Sequence, residues 1–154
     1  MCIRDSHRTG LYPIELPSGL GLEASGVVEE IGSEVSLFKV GDRVSHASAP
    51  ISGYSEKQIM PEEKLVTVPE GISDEIASCI LLKGITSEYL LHRSYAVKKG
   101  DKVLFHAAAG GVGQILCQWA NALGCEVIGT VGSKEKVEIA KKKWVSSCHQ
   151  LYRS

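Results

Sequence analysis

The chain has 154 residues, 44% of them apolar and 23% charged, with a formal net charge of −1. That balance suits a soluble globular protein with a buried core and excludes the charge extremes that mark nucleic-acid or membrane-surface binders. No apolar run reaches membrane-spanning length and no basic segment precedes an apolar one as in a secretory signal, so a cytoplasmic location is expected.

From Gly19 to about Pro69 the pattern is β-like, with predicted strands at Val27 to Ile31, Val40 to Val44 and Leu65 to Val68, around a polar stretch containing Ser52-Gly53-Tyr54. Gly32, Gly41 and Gly53 mark turns. A helix is predicted next. Ser73 is its candidate N-cap, Asp74 and Glu75 lie in its first turn, and apolar residues continue to about Leu91, followed by His92 and Arg93 where the macrodipole favours cations. After Lys99-Gly100-Asp101, the run Val103-Leu104-Phe105 reads as a short buried strand. Val112 to Leu123 reads as a helix closed by Gly124, Glu126 to Val131 as a second strand, and Ser133 opens another helix with Val137, Ile139 and Ala140 on one side. Strand, helix, strand, helix implies a parallel sheet. Cys2, Cys79, Cys117, Cys125 and Cys148 lie far apart without a C-x-x-C pair, which predicts free thiols rather than a disulfide framework or a four-cysteine zinc site.

The chemistry concentrates between the two parallel strands. Ala107-x-x-Gly110-Gly111-Val112-Gly113 joins a buried strand to a helix start, where a phosphate-binding turn belongs. A glycine at Gly110 allows the backbone to approach a pyrophosphate, one at Gly113 allows helix to pack on strand, and the amides of the helix start attract the anion. The first small residue, Ala107, stands where glycine is usual. A tight turn without a ligand is the bland alternative, and the strand–turn–helix context favours the cofactor. An NAD-selective site would place Asp or Glu about 20 residues further on. Here the second strand runs into Gly132-Ser133-Lys134-Glu135-Lys136, which offers a hydroxyl and cations to a 2′-phosphate, so NADPH is the expected cofactor. Of the two lysines, either of which could be a solvated surface residue, Lys136 is taken as the ligand.

The stretches HRTGLYP (7–13), LPSGLGLEASGVV (16–28), GDRV (41–44), LLKGITSEYLL (81–91), HAAAGGVGQILCQWANALG (106–124) and VIGTVGS (127–133) resemble zinc-free quinone oxidoreductases of the ζ-crystallin type, in the medium-chain dehydrogenase/reductase superfamily. The resemblance covers His7 to about Lys142 and implies an α/β chain: a truncated GroES-like β domain over 1–84, then the first βαβα of a Rossmann-type doubly wound parallel sheet over 85–154. Zinc alcohol dehydrogenases of the superfamily carry Gly-His-Glu where this chain has Gly21-Leu22-Glu23, so the resemblance implies reduction without a Lewis acid and no metal site. Glu23 is then expected as a structural hydrogen-bond partner. The implied activity is transfer of reducing equivalents from NADPH to a quinone or related small electrophile, as hydride or as single electrons. An enone, alkenal or enoyl-thioester reductase and a non-catalytic NADPH-binding crystallin-like protein are the alternatives. Tyr12 matches a position lining the family's active-site cleft and is the candidate catalytic residue. Lys83 and Thr86 match the Lys-Gly-x-Thr stretch near the nicotinamide ribose and ring.

The resemblance also implies a fragment. Family members are about twice this length, and residues 1–6 look like junction sequence. A changed reading frame near Lys143 would turn the codons of the tail into Asn-Gly-Cys-His-His-Val-Ile-Asn, close to the family's next segment, so residues 144–154 are expected to encode nothing that the family uses. The intact protein is expected to be a homodimer, and the chain as written poorly soluble and inactive.

Overall fold

The computed structural model describes residues 3–141 and 145–151; Cys2, Lys143 and Trp144, where a changed reading frame is expected, and residues 152–154 lie outside them. The chain divides into two compact units, Met1–Leu82 and Lys83–Ser154. The antiparallel strands fall in the first and the parallel sheet in the second.

In the first unit, helix α1 (Ile3–Arg8) precedes a three-stranded antiparallel sheet of β1 (Ala24–Val27), β2 (Arg43–His46) and β3 (Val66–Thr67), in that order. Ala24 pairs with His46 and Val27 with Arg43, while Val44 pairs with Thr67. These bounds differ from the predicted ones for a physical reason. Strand β1 is built from the small residues Ala24, Ser25 and Gly26, which a hydrophobic alternation does not detect, and it ends where the predicted strand began. Val40 belongs to a turn: Gly41 sits at φ 94°, and its N–H donates to the Val28 carbonyl at 2.9 Å. The Asp42 carboxylate accepts from the Lys39 amide in the same turn.

Polar contacts fill this unit. The buried Ser45 hydroxyl lies 2.9 Å from the Ala24 carbonyl and 3.0 Å from that of Ala77 on helix α2 (Asp74–Glu88). The Glu23 carboxylate accepts from the Leu82 amide at 2.8 Å, a structural partnership at the end of the same segment. A 720 Å³ hollow lined by Val27, Phe38, His46, Gln58, Met60 and Leu65 belongs to this unit, and none of the predicted site residues lines it.

Helix α2 continues into a wider π-helical turn, Tyr89–Ser94, which seats Leu91 in the core of the second unit. That unit consists of β4 (Lys102–His106), α3 (Gly111–Ala122), β5 (Glu126–Val131), α4 (Lys134–Lys141) and β6 (Ser147–Gln150). All three strands are parallel, with Val103 opposite Val127 and Gly129 opposite Cys148. Helix α3 turns Gly113, Leu116, Cys117 and Ala120 inward, a spacing of one helical face. They pack with Ala108, Cys125, Val127, Val131 and Ala140, and burying a side chain the size of Leu116 contributes about 1.5–3 kcal/mol. Gly124, at φ 85°, ends α3 as a left-handed cap, with its N–H on the Asn121 carbonyl.

The expected βαβα is present, and the parallel sheet continues into β6. Parallel pairing uses backbone groups that any residue supplies. Val145, entering the strand, packs where Gly129 lacks a side chain. No helix among the described residues is long and apolar enough to cross a membrane.

Candidate dinucleotide-binding site

The predicted turn lies at the carboxyl end of the parallel sheet, where ligands of such sheets bind. Strand β4 ends at His106. Ala107 then takes the left-handed conformation, φ 58°, at a cost of about 1–2 kcal/mol for a residue bearing a Cβ. Ala108 returns to the sheet by donating its N–H to the Thr130 carbonyl at 3.1 Å, and Gly110 donates to the Ala107 carbonyl at 2.8 Å. Helix α3 starts at Gly111, its Gly110 cap supplying no side-chain hydrogen bond, so the amides of the first turn face the space above the sheet edge.

The three glycines do different work. A Cβ at Gly113 would stand 2.5 Å from the Ala107 oxygen and 2.6 Å from the Ala108 oxygen, so only glycine lets the helix sit this close to the turn. At Gly110 the nearest atom would be the Ala107 oxygen at 3.0 Å, a tight but less prohibitive contact. At Gly111 a Cβ would meet only the stem of Lys83, its Cδ and Cε at 3.4 Å. Lys83, predicted from a segment 24 residues earlier in the chain than Ala107, is thereby brought against the first residue of α3. Thr86 is half-buried one turn along α2 from Lys83, and the Ser87 hydroxyl donates to the Lys83 carbonyl at 2.8 Å.

At the end of β5, Gly132 has open space around its Cα. Ser133 caps α4, its Oγ 3.4 Å from the Lys136 amide. Its hydroxyl also hydrogen-bonds the Glu135 carboxyl and, together with the backbone amide of Glu135, holds that group below the usual carboxylate range. Val112, half-buried, starts the helix toward the core, and Lys136 is exposed. Tyr12 lies in the first unit, about half exposed; its ring meets the His7 ring edge-on at 6.1 Å and its N–H donates to the Ser6 carbonyl.

Two contacts at the turn carry structure that the sequence reading passed over. A Cβ at Gly129 would come within 2.8 Å of the Ala108 methyl. His106 Nδ1 and Thr130 Oγ1, opposite one another in the strand register, are hydrogen-bonded at 2.8 Å. The signal for both was the parallel register itself, which a strand-by-strand reading does not yield.

The alcohol dehydrogenase GroES-like domain family matches residues 1–101. The chain belongs to that family. Its GroES-like pattern and parallel half together also resemble longer proteins. A quinone oxidoreductase of Pseudomonas aeruginosa is 55% identical over 137 residues, which are 88% of this chain and 42% of that protein. A 2-haloacrylate reductase of Burkholderia is 46% identical over 149 residues, 93% of this chain and 44% of that protein. The crystal structure of an Escherichia coli quinone oxidoreductase complexed with NADPH superposes with a TM-score of 0.91 at 46% identity, covering 95% of this chain and 45% of that one. The GroES-like chain thus spans less than half the length of these relatives.

Proposed function

We propose that the protein to which this chain belongs is an NADPH-dependent, zinc-independent quinone reductase. The observation that carries the proposal is the Ala107–Gly113 turn, whose glycines admit a close backbone approach at the head of α3 with Lys83 beside it. The E. coli relative of the same local fold is a complex with NADPH. In this reading the amides of the α3 start and Lys83 hold the anionic centre of the cofactor, Gly132, Ser133 and Lys136 receive its 2′-phosphate, and Thr86 borders the nicotinamide side. Glu135 competes for the Ser133 hydroxyl and is displaced when the phosphate arrives.

Bound NADPH supplies two electrons and a proton; with one further proton from solvent, a quinone becomes a hydroquinone. Nothing else in the overall reaction requires an electrophilic metal, because reduction restores aromaticity. Leu22, at the position where zinc-dependent members carry histidine, supports the zinc-free reading. The protein's contribution is positional: Tyr12 shapes the acceptor cleft, and the turn fixes the cofactor. The reading includes a cytoplasmic location.

A second acceptor class, α,β-unsaturated carbonyl compounds, is favoured by the similarity to 2-haloacrylate reductase. The test is NADPH oxidation by the full-length protein with a small quinone, with 2-chloroacrylate and with no acceptor, beside NADH. Quinone-dependent turnover preferring NADPH is the expected result. Turnover on the acrylate alone moves the protein to the second class, and binding without turnover leaves a non-catalytic NADPH-binding protein.

A further inference from the structure

We propose that the His106–Thr130 hydrogen bond is a positioning clamp that holds Ala107 in its left-handed conformation and so presents the turn in anion-binding shape before the cofactor arrives. The inference rests on the NADPH reading above and names the residues that pre-form its site.

Where dinucleotide turns open on glycine, the positive φ at the first position is adopted freely. Here that position is Ala107, at φ 58°, and an unrestrained alanine returns to negative φ, which rotates the following amides away from the sheet edge. Something must therefore hold both sides of it. On the side before Ala107, His106 is tied through Nδ1 to Thr130 Oγ1 at 2.8 Å. On the side after, Ala108 is tied through its N–H to the carbonyl of the same threonine at 3.1 Å. Thr130 thus grips the residues flanking Ala107 with its side chain and its backbone. It is itself buried and fixed in the central strand of the three. The missing side chain at Gly129 lets Ala108 come down onto the strand far enough for the second bond to close. Neither His106 nor Thr130 need touch the cofactor for this; both act through Ala107.

The test is a double-mutant cycle in the full-length protein, read by NADPH titration and by amide hydrogen exchange of residues 107–111 without cofactor. Thr130→Val keeps the strand, the volume and the backbone bond but removes Oγ1. It is expected to weaken NADPH binding about three- to tenfold and to speed exchange across the turn, with the thermal midpoint little moved. In an Ala107→Gly background, where positive φ is free, the same substitution is expected to cost less than about twofold, an interaction that only a pair acting on one conformation produces. His106→Leu should reproduce Thr130→Val, and His106→Asn, whose amide can offer either hydrogen-bonding role near the place of Nδ1, should restore binding. An equal loss in both backgrounds, or no loss with Thr130→Val, overturns the clamp. Failure of the unaltered protein to bind NADPH overturns the cofactor reading instead. In that case the exchange measurement still decides the clamp: faster exchange with Thr130→Val that Ala107→Gly abolishes supports it, and unchanged exchange overturns it.

Discussion

The two units are stabilised by different means. The second gathers Leu91, Leu116, Cys117, Ala120, Val127 and Val131 into one apolar cluster between sheet and helices. The first buries Ser45 and His46 beside Val44, Val68 and Ala77, and leaves Leu16, Leu37, Val40 and Ile59 exposed, the last at 93%. Its strands are held by hydrogen bonds and by the Arg43–Asp74 ion pair at 2.7 Å. The lesson is that helix-on-sheet packing concentrates stability in one apolar core and a rigid turn, whereas a sheet filled with polar contacts spreads it over many smaller contributions.

The sharpest way to break this contrast is at the turn. Gly113→Ala forces a methyl onto two carbonyl oxygens and is expected to cost about 3 kcal/mol in thermal unfolding, with NADPH affinity falling more than about tenfold. A variant that melts and binds like the parent would show that the turn has room. Next come the cores. Leu116→Ala should cost about 2–5 kcal/mol, but Val44→Ala only about 1–2 kcal/mol, measured by denaturant unfolding; equal losses would erase the distinction. Ser45→Ala leaves two carbonyls without their hydroxyl and should cost about 1–2 kcal/mol, more than an alanine at an ordinary surface serine.

Smaller effects follow from titration. The hydrogen bond from Arg43 holds the Asp74 carboxyl below its ordinary 3.8. A depressed folded value means that the pair's stabilisation is present above pH 3.8 and disappears as the pH falls through the folded value. Asp74→Asn should therefore lower the melting temperature slightly at neutral pH and leave it unchanged in strong acid. Burial pushes the Cys117 thiol up to about 11, whereas Cys79 is exposed. Alkylation followed by mass spectrometry should label Cys79 at neutral pH and reach Cys117 only on unfolding. Early labelling of Cys117 would mean that the second unit opens more readily than its packing implies.

The same contrast explains what the sequence revealed. Strand β5 matches its predicted span, and α3, α4 and the turn fall where glycine, serine and apolar spacing placed them, because contiguous apolar runs and helix caps are local signals. In the first unit, Ala24-Ser25-Gly26 forms a strand without an apolar period, and the exposed Val27, Ile31 and Val40 misled the reading of strand ends. The resemblance to quinone oxidoreductases drew attention to Lys83, and its packing against Gly111 is a contact no local pattern could have shown. The tie between His106 and Thr130 stayed invisible for the same reason: it exists only once the two strands lie side by side.

Gly129 adds a constraint on how this protein can change over generations. A Cβ there would come within 2.8 Å of the Ala108 methyl, so a heavier residue at Gly129 is tolerated only after Ala108 has given way to glycine. Substitutions at the two sites would become established in order rather than independently.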